Sequence, residues 1–435
     1  MLIYTRNISP RLEYIAGFAG NLVAGKPFAL TTDIQEFEQF PGVKINYSSW
    51  KISGKGIWIQ PHEILFSDKI EEQSISCEEI DEEKIFFQTP GDWPFDIFAA
   101  SFYLISRYEE YLPHREDEYG RYAHENSIAF KEGFLHLPLV NIWWTRFKKR
   151  LAEVFPEAEF SRTEFVYIPT YDIDIAWSYR HKGWQRTAGG LARSLFNRDW
   201  SEVRSRLYVW RGRDKDPYDS YTWLHQLHER YKVKPYYFFL LANKKGVYDK
   251  NISPHNQALR ELVREHFNRY PVGIHPSWRS GDEHELLGKE INTISEITES
   301  ACVISRQHYI RFHLPDTFRR LIDAGIRYEF SMGYGSINGF RASVTTPYYW
   351  YDLPAEQTTE LLLFPFCYME ANSYYEQKYT AAQALEEMRH YRKQVKLVNG
   401  TLITIWHNHF LGTDPSLSGW RETYETFMSE TAETR

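Results

Sequence analysis

Apolar and polar positions in the second half of the chain follow two alternating rhythms. Short runs that are apolar almost throughout, EFVYIPTYD, KPYYFFLLAN, PVGIHPS and ACVISRQHY, read as buried strands. Between them stand TWLHQLHERY, HNQALRELVREHFNRY, HELLGKEINTISEIT and LPDTFRRLIDAGI, whose apolar residues recur at helical spacing. The strands continue in RYEFSMGY, ELLLFPFCYME and TLITIWHN, and the helices in AAQALEEMRHYRKQVKLV. This is a β-α alternation of about seven units, which predicts a parallel sheet or a barrel. Folds of that kind place their chemistry at the C-terminal ends of the strands.

The first half reads differently. PFDIFAASFYLISRYEEYLP predicts a buried helix from near Pro94 to before Pro113, and NIWWTRFKKRLAEVF lies in a second one, from Leu139 to Phe155. Asp68 to Glu83 holds eight carboxylates and reads as an exposed connection. A polar segment, PEAEFSRTE, follows the second helix and sets a boundary near 155–163. Residues 1–155 are expected to form a smaller α/β domain of unknown role, and residues 164–435 the domain that carries the chemistry. An insertion at about 180–220 follows the first strand of that domain. From Arg180 to Lys215 it has ten Lys/Arg and three acids, interleaved with Trp184, Trp200, Tyr208 and Trp210. Two readings stand: a helical surface insertion, or a mobile lid or patch for an anionic glycan or lipid phosphate.

Composition narrows the class. With 435 residues, 43% hydrophobic and 25% charged, the chain is globular and long enough for two or three domains. A net charge of −7 argues against a nucleic-acid binder. Cys77, Cys302 and Cys367 give neither a disulfide framework nor a cysteine zinc site. The start, MLIYTRNISPRLEYIAGF, lacks the pattern of a secretory signal, and no apolar run is long enough to span a bilayer. The expected location is cytoplasmic, with peripheral membrane contact left open. Aromatic residues make up 17% of the chain, which fits either large cores or sugar-stacking surfaces.

Polar residues mark four strand ends. Asp172 and Asp174, in TYDID, are two apart and share one face of the first strand. Adjacent carboxylates repel unless a cation or a proton is shared; a cap or a surface ion pair is the structural alternative. His275 closes PVGIH, Arg306 and His308 follow ACVIS, and His407 ends TLITIWH. Two Asp, an Arg and three His from several strand ends suit a metal-assisted hydrolase.

These motifs resemble those of the NodB-homology polysaccharide deacetylases, the metal-dependent carbohydrate esterases of family four. The resemblance runs from about Phe165 to Phe410. TYDID resembles the family's Thr-Phe-Asp-Asp with one residue inserted, which implies Asp172 as general base and Asp174 as metal ligand. HPSWRS matches only the first histidine of His-Ser/Thr-x-x-His; Arg279 stands where the second would be. Arg306-Gln307-His308-Tyr309 resembles Arg-x-Pro-Phe/Tyr, whose Arg holds the base, with His in place of Pro. Ile405-Trp406-His407 resembles Leu-x-His, the general acid. The implied fold is a distorted (β/α)7-type barrel preceded by the smaller α/β domain. The SFYLISRYEEYLP region resembles the uncharacterised domain that precedes a divergent branch of these proteins.

The implied activity is hydrolysis of an N-acetyl, or less readily an O-acetyl, group on a saccharide, a hydrolase reaction on a C–N bond other than a peptide bond. The expected catalytic residues are Asp172, Arg306 and His407. The expected ligands of a divalent metal, Zn²⁺ foremost, are Asp174, His275 and His308, the last because it lies beside Arg306 and the usual second histidine is missing. The substrate would be an N-acetylated saccharide or a lipid-linked or phosphorylated sugar. Its walls are expected from Tyr171, Trp278, Tyr309, Arg341, Tyr348, Trp350 and Trp406. The rival readings are a saccharide-binding or scaffold protein with a decayed site, and a glycoside hydrolase built on the carboxylate pair. Of the lesser signals, His225 and His228 sit at i, i+3 on a helix, where a surface face competes with a ligand pair. Gly333-Tyr334-Gly335 fails the dinucleotide fingerprint and reads as a turn near the site. Ser277 and Ser280 have no evident nucleophile-activating partners.

Overall fold

A computed structural model describes residues 1–243 and 246–432. Two parallel sheets organise it. Strands β1 (Leu2–Thr5), β2 (Ala29–Thr31), β3 (Lys44–Tyr47) and β4 (Ile57–Ile59) form the first, in the order β2-β1-β3-β4. The acidic stretch ends in a hairpin of β5 (Glu78–Ile80) and β6 (Glu83–Ile85), most of its side chains in solvent.

The second sheet has nine strands: β7 (Val166–Ile173), β8 (Tyr236–Leu240), β9 (Val272–His275), β10 (Ile304–Ser305), β11 (Tyr328–Glu329), β12 (Tyr348–Asp352), β13 (Gln357–Leu363), β14 (Tyr368–Met369) and β15 (Thr401–His407). Their order is β12-β13-β11-β10-β9-β8-β7-β15-β14, and among the described residues only β12 and β13 of this sheet run antiparallel. β7 lies between β15 and β8, third from the β14 edge of the ladder, and every residue from Thr170 to Ile173 is buried. Strands covered on both faces need continuous apolar runs, which is why these segments stood out in the sequence.

The fold is mixed α/β, and the expected barrel does not close. The ladder ends at β12 on one side and β14 on the other, and these two do not pair among the described residues. β12 folds back on β13 and occupies that edge, while β14 has only two residues with which to extend the other. Helices Tyr221–Tyr231, Gln257–Phe267, His284–Thr298, Asp316–Asp323 and Ala381–Leu397 fall where the periodicity put them. The helix expected from Pro94 to Pro113 is shorter, Ile97–Ile105. Asp96 starts it by accepting from the Phe98 and Ala99 N–H groups; after it Arg107 turns left-handed, at φ 57°, and a 3₁₀ turn, Tyr108–Tyr111, follows. A C-terminal helix, Trp420–Ala432, and the short strands β1–β4 and β12 had no distinct signal.

The two halves share one apolar core. Buried polar contacts cross between them as well: Arg11 pairs with Glu356 at 2.5 Å, and Arg341 donates to both oxygens of Glu110 at 2.8 and 2.6 Å. No helix among the described residues is long and apolar enough to cross a membrane. The insertion forms two helices, Trp184–Phe196 and Trp200–Trp210, on the surface.

Candidate metal centre

The strand register brings the polar ends together. β7 carries Asp172 and Asp174 to the C-terminal edge of the sheet, with His407 opposite Asp172 on β15. β9 contributes His275, paired with Leu240 of β8. β10 stops at Ser305, so Arg306 and His308 lie beyond it, His308 opening a 3₁₀ turn, rather than on a common strand face.

Asp174, His275 and His308 each present one ligand atom, and these atoms lie within 4.8 Å of one another. His275 Nε2 is 3.2 Å from Asp174 Oδ1, and His308 Nε2 is 3.4 Å from Oδ2. The far nitrogens are engaged. His275 Nδ1 donates to the Arg306 carbonyl at 2.6 Å, which leaves Nε2 with a lone pair when the ring is neutral. His308 Nδ1 lies 3.0 Å from Asp249 Oδ1, a carboxylate–histidine pair of the kind that orients metal-binding imidazoles. Asp174 Oδ1 is a buried oxygen with no hydrogen-bond partner. A divalent cation would satisfy that oxygen, so the donor set fits one.

Electrostatics agree with a site built for positive charge. Burial works to raise the Asp174 carboxyl, but His308, His275 and His407 outweigh it and hold it well below the usual range. Burial works to lower His308; Asp174 and Asp249 prevail and push it up to about 9. His407 Nδ1 sits 2.6 Å from Glu370 Oε1, which also accepts the His407 backbone N–H at 2.7 Å. Against desolvation, Glu370 and Asp174 push His407 up to about 10. Arg306 Nη1 donates to Asp172 Oδ1 at 2.8 Å, leaving Oδ2 on the side of His275, 3.8 Å from its Nε2.

A cleft of about 570 Å³ opens over these groups. Glu118, Tyr119 and Arg121 reach it from the first half of the chain. Asp117 folds that turn by accepting from the Tyr119 and Arg121 N–H groups, and Arg121 Nη1 donates to the Tyr309 carbonyl at 2.8 Å. A Cβ on Gly335 would lie 2.1 Å from Arg121 Nη1, so the glycine-rich loop leaves room for this strap beside the cleft, as a turn near the site should. Tyr248 stacks on Trp278 with centroids 4.1 Å apart, and Tyr309 lies 5.4 Å from both Trp278 and Tyr119. Four half-buried rings therefore stand together next to the ligand cluster.

Of the expected wall residues only Tyr309 lines the cleft, and Trp278 packs edge-on against its ring. Tyr171 and Trp406 are fully buried on the opposite face of the sheet, because each is one residue from a residue that faces the cleft. Tyr171 packs with His228, Tyr237 and Tyr424. Arg341 is buried against Glu110, Tyr348 against Phe18, and Trp350 against Phe318. His225 and His228 are buried too, hydrogen-bonded to Tyr270 and Tyr171, and are neither a surface face nor part of the cluster. Arg279 is exposed and pairs with Glu283, so the position of the missing histidine does not face the site.

Asp249, Glu370, Tyr119 and Tyr248 escaped the sequence reading. Glu370 directly follows β14, so the strand-end rule reaches it; Asp249 lies nine residues past the end of β8, where that rule gives no signal. Tyr119 carries no such signal, because it arrives from a distant part of the chain.

Residues 1–156 match a family described as being of unknown function, DUF7033. No curated protein sequence matches the chain. Among solved structures, a protein from Mycobacterium smegmatis classed as a polysaccharide deacetylase is 13% identical, covering 62% of this chain and 85% of its own, with a TM-score of 0.40. One from Pseudomonas aeruginosa PAO1, classed likewise, is 12% identical over 62% and 85%, with a TM-score of 0.38. A mutant of a CE4-family pseudoenzyme with restored activity is 11% identical over 62% and 64%, with a TM-score of 0.33. The chain is remotely similar in structure, over 62% of its length, to polysaccharide deacetylases.

Proposed function

We propose that this chain is a metal-dependent deacetylase of acetylated saccharides. The observation that carries the reading is the Asp174–His275–His308 cluster, oriented from behind by Asp249 and the Arg306 carbonyl and flanked by Asp172 and His407. Two imidazoles and one carboxylate suit Zn²⁺ with a position left open. A divalent ion held by these residues would supply Lewis-acid polarisation of the acyl carbonyl and would make a water acidic enough to lose its proton near neutral pH.

The remaining chemistry belongs to side chains. Asp172 Oδ2 accepts the water's proton while Arg306 fixes Oδ1, so the basic oxygen keeps one direction. His407, held protonated by Glu370, donates to the departing nitrogen through Nε2, which faces Asp174 Oδ2 at 3.5 Å. The rings of Tyr119, Tyr248, Trp278 and Tyr309 offer apolar faces for a sugar. The first half of the chain is then part of the substrate site through its strap.

The test is acetate release from a panel of N-acetylhexosamine monomers and oligomers, before and after stripping with a chelator. Release that is lost on chelation and restored by Zn²⁺ supports the reading. Acetate release that survives chelation removes the metal from the reading, and new reducing ends from the oligomers without acetate point to the carboxylate-pair glycoside hydrolase instead. Saccharide binding with no release from metal-loaded protein points to a decayed site.

A further inference from the structure

The insertion after β7 has a surface unlike the rest of the molecule. Trp184 is 78% exposed, Phe196 88%, Trp200 66% and Trp210 74%, and Leu195 beside them is also exposed. Soluble surfaces rarely leave so many large apolar side chains together in water. Arg186, Arg193, Arg198, Arg204, Arg211 and Arg213 are exposed on the same two helices and their ends. The segment from Arg180 to Lys215 holds ten Lys/Arg against three acids, in a chain whose net charge is −7. An apolar groove of about 600 Å³ runs between the helices, lined by Trp184, Leu191, Leu207 and Trp210, with Arg180 and His181 also on its wall.

We propose that the helical pair Trp184–Phe196 and Trp200–Trp210 docks the protein on an anionic phospholipid bilayer. Interfacial helices combine these two features: Trp, Phe and Leu to enter the headgroup–acyl boundary, and Arg to meet lipid phosphates. Nucleic acid would reward the charge and could stack on the rings, but it gives Leu195 and the leucine-lined groove nothing apolar to bury in. The anchorage is firm. The backbone N–H groups of Ser178, Tyr179 and Arg180 all donate to the Asp216 carboxylate, at 2.7, 2.7 and 2.9 Å, closing the base of the insertion. That base follows directly from Asp174, so the docking surface springs from the same end of the sheet as the cleft. Delivery of the cleft to lipid-linked saccharides is a consequence that rests on the deacetylase reading; the docking itself does not.

The experiment is co-sedimentation of the full chain with vesicles of phosphatidylcholine, with and without phosphatidylglycerol. The protein is expected on the phosphatidylglycerol vesicles, released by high salt, and scarcely on the neutral ones. Replacing Arg186 and Arg193 together by Gln should lower partitioning roughly ten-fold or more. The triple change Trp184→Ser, Phe196→Ser and Trp210→Ser should lower it by at least about as much. Lipids brominated along their acyl chains should quench wild-type tryptophan fluorescence, a readout that needs no variant to fold. Equal binding to both vesicles, no quenching, or retention by single-stranded DNA or an acidic protein with vesicles left unbound would overturn the proposal. Asp172→Asn should bind vesicles like wild type, so failure here and failure of the deacetylase reading are separate results.

Discussion

Asp172→Asn should lower kcat/KM for acetate release by roughly 100- to 10,000-fold, the span of a lost general base. The substitution keeps size and shape, and its carbonyl oxygen can still accept from Arg306, which sits 2.8 Å from Oδ1. What it removes is the second, basic oxygen, which faces His275. Because Asp172 lies outside the three-residue ligand cluster, metal content should stay at the wild-type level. The loss should therefore fall on kcat, with KM nearly unchanged, since the group acts on a proton in the transition state rather than on the bound sugar. Acetate measured by a coupled assay, with metal content on the same samples, separates the cases. Wild-type rates in Asp172→Asn would remove this residue as the base.

Arg341→Met should destabilise the fold by about 3–5 kcal/mol, the range for breaking a buried ion pair from one side. Arg341, Glu110 and Arg107 are each almost wholly buried, and Glu110 accepts from both guanidinium groups. Burial acts to raise Glu110, yet Arg341 and Arg107 together hold it down at about 2. A carboxyl so depressed contributes stability above its unfolded value, lost as pH falls toward 2. Removing Arg341 leaves Glu110 with one partner in the core between the two halves of the chain. Urea unfolding measures the change. The same variant, folded at low temperature, should keep its KM, because the side chain does not line the cleft. A large rise in KM with unchanged stability would return Arg341 to the substrate walls, where the sequence analysis expects it.

How far the sequence could be read depended on the kind of signal. β7, β8, β9 and β15 are buried on both faces, and their apolar runs announced both the strands and the polar residues at their ends. Asp172, Asp174, His275, Arg306, His308 and His407 follow from that pattern and from the motif resemblance together. Nearness in sequence to a site residue does not place a ring in the site, because side chains alternate along a strand. Tyr171 and Trp406 adjoin Asp172 and His407, and for that reason point the other way. Arg341, Tyr348 and Trp350 belong to a stretch that turns back against the first half of the chain, a long-range fact that no local pattern records. Tyr119 is the converse case: it is remote in sequence and stands in the cleft. The barrel failed for a similar reason, since closure depends on what the edge strands meet, and β12 meets β13.

The proposed deacetylase chemistry requires that Asp174, His275 and His308 hold one divalent cation, with His308 in the role left vacant at Arg279. Metal content after stripping with a chelator and dialysis against Zn²⁺, for wild type and His308→Ala side by side, tests it most directly. One tightly held ion per wild-type chain and none in a folded His308→Ala is the expected result. Stoichiometric metal in His308→Ala, or none in wild type, would contradict it.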